Sequence, residues 1–214
     1  TPGFWISSIT VAGHPTRRDS SVGFESGLNV IYGPSNSGKS WVLQCIDYVF
    51  GLKADEFVLD ENSGYTEVRM GVRTAQGSLT LSRSIGEGAN NIEVSSTDPR
   101  IESGVYKRQS SGRSPLLSSV WLKLIGYDAP ENLKIIKNQN LETQALTWRT
   151  FWHALYADED RISTKKQILL PLQATAQPAF KCALASLITG KDYAAYARDE
   201  SVETRKLRNN AIID

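Results

Sequence analysis

The segment Gly33-Pro34-Ser35-Asn36-Ser37-Gly38-Lys39-Ser40 constrains this chain more than any other, because it fits the spacing G-x-x-x-x-G-K-[ST]. Leu28-Asn29-Val30-Ile31-Tyr32, just before it, reads as a short buried strand. After it, Trp41, Val42, Cys45, Ile46, Val49 and Phe50 recur at the spacing of one helix face. Strand, glycine-bearing loop and helix are the setting a phosphate-binding P-loop requires. Successive N–H groups at the helix N-terminus converge on one point and hold a β-phosphate against the positive end of the helix dipole. Lys39 adds a point charge for the β- and γ-phosphates, and the Ser40 hydroxyl is placed to ligate Mg²⁺. The residues expected on the nucleotide are Gly33, Pro34, Ser35, Asn36, Ser37, Gly38, Lys39, Ser40 and Trp41, with Lys39 also expected to act in catalysis.

The bulk properties set few further limits. A chain of 214 residues with 40% hydrophobic content is long enough for one large α/β domain, or for one domain with an appendage. Its net charge of +1 supplies no global basic field for nucleic acid. Cys45 and Cys182 sit inside apolar helical patterns and read as reduced core thiols. No apolar run reaches the length of a membrane span and no signal peptide shows at Thr1, so a cytoplasmic protein with no membrane partner is expected. The chain lacks an initiator Met and stops inside a charged helical pattern, which reads as a piece of something longer.

In order, Phe4 to Val11 alternates loosely and reads as a first strand, followed by a turn at Gly13-His14-Pro15-Thr16. Val22 and Phe24 belong to a second strand, so that a hairpin precedes the P-loop. Phe57-Val58-Leu59-Asp60-Glu61 resembles a Walker B ending, but follows the P-loop helix too closely for a crossover and reads as a loop or short turn. Tyr65 to Val72, then Leu79, Leu81 and Ile85 with Arg83 outward, then Asn91 to Val94, read as an antiparallel meander beside the nucleotide sheet. Residues 97–115 are rich in Ser, Gly, Arg and Lys and read as a mobile surface loop. Lys107, Arg108 and Arg113 in that loop are read as solvated, although they suit a phosphate backbone. Helices are expected from Pro115 to Ile125, from Thr147 as N-cap through Trp148, Phe151, Trp152 and Leu155, and from Pro178 to Ile188, with a strand over 133–136. Residues 192–214 suit an exposed helix or the start of a coiled coil.

A P-loop alone does not choose among kinases, GTPases and ATPases. The order of elements here, with a strand pair, a P-loop, a meander and a helical subdomain, matches the head of an ATP-binding cassette. In detail, Phe24-Glu25-Ser26-Gly27-Leu28-Asn29-Val30-Ile31-Tyr32 running into Gly33 to Ser40 resembles the SMC and double-strand-break-repair ATPases. Leu187-Ile188-Thr189-Gly190-Lys191-Asp192 is similar to the point where some bacterial members leave the head. The resemblance implies an α/β P-loop NTPase of the ABC-ATPase head type. It implies a mixed central sheet plus an antiparallel β meander and a helical subdomain over residues 1–191, with the coiled coil beginning in 192–214. Asn36 is a departure, since SMC proteins carry Gly there, but Asn tolerates left-handed backbone.

The same resemblance gives the acidic stretch Tyr156-Ala157-Asp158-Glu159 a meaning. It falls where ABC heads carry the Q-loop, so Asp158 and Glu159 would stand on the Mg²⁺ ion in place of Gln. A rival reading makes the stretch a Walker B, with Asp158 on the metal's water shell and Glu159 as general base. A third makes it a charged end of a helix with no catalytic part. Arg17 and Arg18 lie where the resemblance implies contacts to the nucleotide's phosphates or ribose, and equally suit a solvated turn. No signature motif or switch histidine is present, His14 and His153 being the only histidines. The resemblance therefore implies a Mg·ATP-binding N-terminal lobe. Its partners would be the C-terminal half of the same head, a second head sandwiching ATP, and double-stranded DNA, in DNA repair or in defence against phage and plasmids. The open alternatives are a nucleotide-dependent interaction module without hydrolysis and a self-contained P-loop NTPase or kinase using Asp158 and Glu159.

Overall fold

The computed structural model describes residues 3–13, 17–57, 59, 63–109, 114–138, 140–163 and 169–193. Strands β1 (Phe4–Gly13) and β2 (Ser20–Gly23) form the expected hairpin. Helix α1 spans Lys39–Val49. Strands β3 (Tyr65–Thr74), β4 (Ser78–Ser84), β5 (Asn91–Ser96) and β6 (Gly104–Lys107) follow. All six strands form one sheet in the order β2-β1-β3-β4-β5-β6, and every neighbouring pair is antiparallel. The meander is thus continuous with the first hairpin rather than beside a separate sheet. No mixed sheet forms among the described residues.

Period-two alternation decides which side chains face inward. Val11, Val68, Arg83, Ile92 and Tyr106 are directly paired from strand to strand, and all five are buried. The next row is Ile9, Met70, Leu81 and Val94, also buried. Helix α1 closes this face with Cys45, Tyr48 and Val49. Arg83, expected outward, lies fully inside because it shares parity with Leu79 and Leu81. Parity outranked polarity there. Gly71 on β3 fits where β1 bulges; an added Cβ would meet the Ser8 and Ser7 hydroxyls at 2.6 and 2.8 Å.

Of the stretch expected as a mobile loop at 97–115, Gly104–Lys107 is built into this sheet as β6, and 98–101 form a turn against it. Asp98 and Ile101 are buried, and β6 pairs with β5 through Tyr106 opposite Ile92. Its small polar residues serve turns: the Asp98 carboxylate accepts from the Thr74 hydroxyl at 2.5 Å and from Arg100 Nε at 2.9 Å. Arg113 and its neighbours at 110–112 lie outside the described residues, as do His14, most of the rejected Walker B stretch and all of 194–214, where the coiled coil was expected.

Helix α2 (Leu117–Leu124) buries Leu117, Val120, Trp121, Leu122 and Leu124. The hairpin β7 (Lys134–Ile136) and β8 (Thr143–Ala145) precedes α3 (Trp148–Leu155). Thr147 occupies the N-cap of α3, although its hydroxyl meets Thr150 at 3.1 Å instead of a helix N–H. Leu155, expected on the apolar face, is exposed because the helix ends there and its buried stripe stops at Trp152. The ring of Phe50, directly after α1, packs in tilted contact with Trp121 and Trp152, ring centres 4.3 and 4.8 Å away. This aromatic cluster ties the rear of α1 to α2 and α3. Helices α4 (Glu159–Ser163) and α5 (Gln177–Thr189) complete the described chain, with α5 ended by Gly190 at φ 67°. Cys45 and Cys182 are both free thiols, and burial pushes Cys45 up to about 12. No described helix is long and apolar enough to cross a membrane.

One expected element is absent. Leu28 to Tyr32 joins no ladder, and Leu28, Val30 and Tyr32 are 93%, 72% and 89% exposed. The segment has strand chemistry but no strand to pair with among the described residues. Asn29 instead folds back on the turn before it, donating to the Glu25 and Gly27 carbonyls at 2.8 and 3.1 Å.

Candidate nucleotide-binding site

The loop's conformation follows from its two special positions. Asn36 sits at φ 59° and Gly38 at φ 83°, both left-handed, where asparagine is tolerated and glycine costs nothing. These two reversals wrap the chain around the point from which α1 begins. Gly33 closes the loop from its other end, where an added Cβ would lie 3.2 Å from Ser37 Oγ. Ser37 Oγ donates to the Pro34 carbonyl at 2.8 Å. The Lys39 ammonium lies over the loop, donating to the carbonyls of Gly33 and Pro34 and to Ser37 Oγ. The first intrahelical bond runs from Val42 N–H to the Gly38 carbonyl, and no side chain caps the helix. The N–H groups of Lys39, Ser40 and Trp41 therefore have no acceptor within the helix, and no acidic residue stands in the first turn. Such an end, with a lysine beside it, attracts an anion.

Ser35, Asn36, Ser37, Gly38, Lys39, Ser40, Trp41, Gln44 and Glu159 line one cleft of about 560 Å³, within the range of small-ligand sites. The fold thus brings Glu159, distant in sequence, to the loop. Asp158 stands just before it but does other work: its carboxylate accepts the Arg161 N–H at 2.8 Å and caps α4. That cap aims the following residue, Glu159, from the first position of α4 at the cleft. Gln44 was not singled out in the sequence, yet its position one turn beyond Ser40 was the available signal. Arg17 and Arg18 are exposed beyond β1, and the Arg17 guanidinium lies 4.8 Å from the Tyr65 ring centre. Tyr65, 6.2 Å from Trp41, was read only as the start of a strand.

A family profile described as an AAA domain matches residues 10–177, well over half of the chain. The chain belongs to this AAA domain family. It is an AAA/P-loop ATPase family related to the SMC-type ATPases, so nucleotide binding and ATPase activity are what membership suggests. No match to a curated protein was found.

An ATPase of this family uses a nucleotide and usually Mg²⁺, and the AAA domain's donors suit that ion. Magnesium takes one or two protein oxygens and completes its shell with phosphate and water. Ser40 and Glu159 supply oxygens of that kind in the lining of one cleft. No group of three or more His, Cys, Asp or Glu able to hold a metal by itself occurs among the described residues.

The rear of α1 is anchored as firmly as its front is open. The Asp47 carboxylate accepts from the Arg149 guanidinium of α3, with burial pushing the acid up against that pull. Arg83 donates from Nε to the Ala89 carbonyl at 2.7 Å and from a terminal nitrogen to the Tyr48 carbonyl. Its guanidinium lies 3.8 Å from the centre of the Tyr48 ring, and burial pulls it down to about 10. A cation at a helix C-terminus complements the dipole. The Tyr48 hydroxyl donates to the Ser84 carbonyl at 2.6 Å. α1 is therefore fixed to sheet and helices at one end and offers backbone donors at the other.

Proposed function

We propose that this AAA domain is the N-terminal lobe of an SMC-like ATPase head, binding Mg·ATP at Gly33 to Ser40 and hydrolysing it after joining a C-terminal half and a second head. The observation that carries the reading is the uncapped start of α1, with Lys39, Ser40 and Glu159 on one cleft. Lys39 draws the β- and γ-phosphates to the helix N–H groups, and Ser40 with Glu159 orients the metal's shell. Glu159 stands where a carboxylate replaces the Q-loop amide, and Asp158 positions it as the cap of α4. The unpaired apolar segment 28–32 supports a lobe that is completed by further strands. A coiled coil beyond residue 191 and a role on duplex DNA, in repair or in defence against phage and plasmids, rest on the resemblance to SMC proteins.

The position of Glu159 also favours a second reading, a self-contained NTPase using Glu159 as base. Turnover by this chain alone selects it; turnover only after a C-terminal half is added selects the first. Binding with no turnover in the whole head would leave a nucleotide-dependent interaction module.

Titration calorimetry with Mg·ATP tests the site itself. Lys39→Ala should weaken binding on the order of 100-fold, since charge-assisted contacts to phosphate are lost. Equal affinities for the two proteins would remove the loop from the site.

A further inference from the structure

A second cleft of about 560 Å³ opens where the β7–β8 hairpin, α3 and the start of α5 meet. Lys137, just past β7, and Gln144 on β8 line it from the hairpin. Arg149, Thr150 and His153 line it from α3, where residues three and four apart share one helix face. Ala179 and Phe180 of α5 add apolar atoms, and the Phe180 ring meets the His153 imidazole nearly at right angles, centres 5.9 Å apart.

The charge of this cleft is one-sided. The nucleotide cleft sets Glu159 against Lys39, and the cleft beside α2 sets Glu131 against Lys123. Here Lys137 and Arg149 are joined by no Asp or Glu among the described residues that line the cleft. Arg149 is held from the rear, with one terminal nitrogen on the Asp47 carboxylate and its guanidinium 5.0 Å from the centre of the Trp152 ring. Asp47 offsets part of that charge from within the core, yet the Arg149 side chain keeps 38% of its surface exposed. Gln144 and Thr150 contribute neutral donors. Cations and donors converging on a concave site with apolar atoms beside them suit a ligand with an anionic head and a short apolar body. A polyanion is a poorer fit, since the net charge of +1 provides no extended basic field.

We propose that this cleft binds a small phosphate monoester, with its phosphate on Lys137, Arg149 and Thr150 and its apolar body against Ala179 and Phe180. A phosphate dianion has three terminal oxygens to satisfy, and the cleft offers an ammonium, a guanidinium, an amide and a hydroxyl for them. The site shares no lining residue with the phosphate loop and does not depend on its reading.

The test follows the amide resonances of the full chain carrying Lys39→Ala, which takes the charge of the phosphate loop out of competition. Phenyl phosphate is the probe, with benzoate and phenol for comparison. Phenyl phosphate should shift the amides of Gln144, Thr150 and Ala179 saturably, benzoate should bind them more weakly, and phenol should leave them in place. Lys137→Met, at an exposed position, keeps the apolar stem and loses the ammonium. It should weaken phenyl phosphate about 10-fold, the order expected for one charge-assisted contact. Equal affinity in the Lys137→Met protein and its parent overturns the proposal. Shifts from phenol matching those from phenyl phosphate reduce the cleft to an apolar crevice and overturn it as well. Benzoate binding as tightly as phenyl phosphate removes the phosphate assignment. Displacement of the probe at these amides by a short DNA duplex makes the cleft part of a nucleic-acid surface and ends the small-ligand reading. A failure of the phosphate loop shows separately, as Mg·ATP affinity unchanged by Lys39→Ala.

Discussion

Two apolar strands-by-composition meet opposite fates in this molecule. Tyr65 to Thr74 is paired on both sides, buries Val68, Met70 and Val72, and lies at the centre of the sheet. Leu28 to Tyr32 is equally rich in strand-forming residues, yet it pairs with none of the described residues, and Leu28, Val30 and Tyr32 face solvent. The difference is not in propensity. A strand forms where its N–H and C=O groups find a ladder and its apolar face finds a core. The central segment has β1 and β4 for the first and α1 for the second. Among the described residues the segment before the P-loop has neither, and the loop continues directly into α1. One region is a finished structure, and the other presents chemistry that a further surface can complete.

The largest effect should come from damaging the finished region. Leu81 is fully buried opposite Met70 and Val94. Leu81→Ala should cost about 3 kcal/mol, a fall in Tm of about 10 °C for a domain of this length. Differential scanning fluorimetry measures it. A shift under 2 °C would mean that the sheet's inner face is not the core, and the contrast would collapse.

The next effect belongs to the site. Glu159→Gln should leave binding of metal-free ATP unchanged and raise the Mg²⁺ concentration needed for tight binding about 10-fold, the size usual when a group around a metal is altered. Metal titrations of the two proteins that overlay would place Glu159 off the ion.

A comparable but pH-dependent effect is expected at Asp98, a polar anchor of the β5–β6 turn. The Arg100 guanidinium, with help from the Thr74 hydroxyl and the Arg100 N–H, holds this carboxyl well below the usual carboxylate range. Its stabilisation is therefore present above the unfolded value of about 4 and is lost as pH falls through the depressed folded value. Asp98→Asn should lose roughly 2 kcal/mol at neutral pH and show a flatter decline in acid. Urea melts at a series of pH values decide it, and parallel pH profiles for the two proteins would assign Asp98 no linked proton.

The same contrast explains how much of the fold the residues themselves disclose. The P-loop was legible because its requirements are local: a left-handed position filled by Asn36, another by Gly38, and a helix start at Lys39. β1, β3, β4, β5, α2, α3 and α5 are legible because their apolar periods are long enough to carry the signal. Arg83 was misjudged because charge suggested water, when alternation with Leu79 and Leu81 already placed it inside and the α1 carbonyl end could receive it. Within 97–109, Ser, Gly and Arg build turns that pair, which composition does not separate from turns that do not. The fate of Leu28 to Tyr32 depended on a partner strand, and no pattern within the segment encodes one. Glu159 reached the cleft through the α4 cap at Asp158, a tertiary fact with only a local trace.

The smallest predicted effect is the one that tests the contrast most directly. Val30 is 72% exposed, and exposed substitutions outside special backbone positions change stability by roughly 0.5 kcal/mol or less. Val30→Ser should therefore leave the urea midpoint of this chain unmoved, although the residue is as apolar as Val68 and lies beside the site. Hydrogen exchange should show the same divide, with amides at 28–32 exchanging rapidly and those of β3 protected by their ladders. If the variant instead loses more than about 1 kcal/mol, Val30 is buried in solution and the segment already has its ladder. If stability holds in this chain but Val30→Ser disrupts assembly with an added C-terminal half, the strand is completed from outside. The P-loop would then gain its second anchor only on assembly, which gives a physical reason for turnover to begin there.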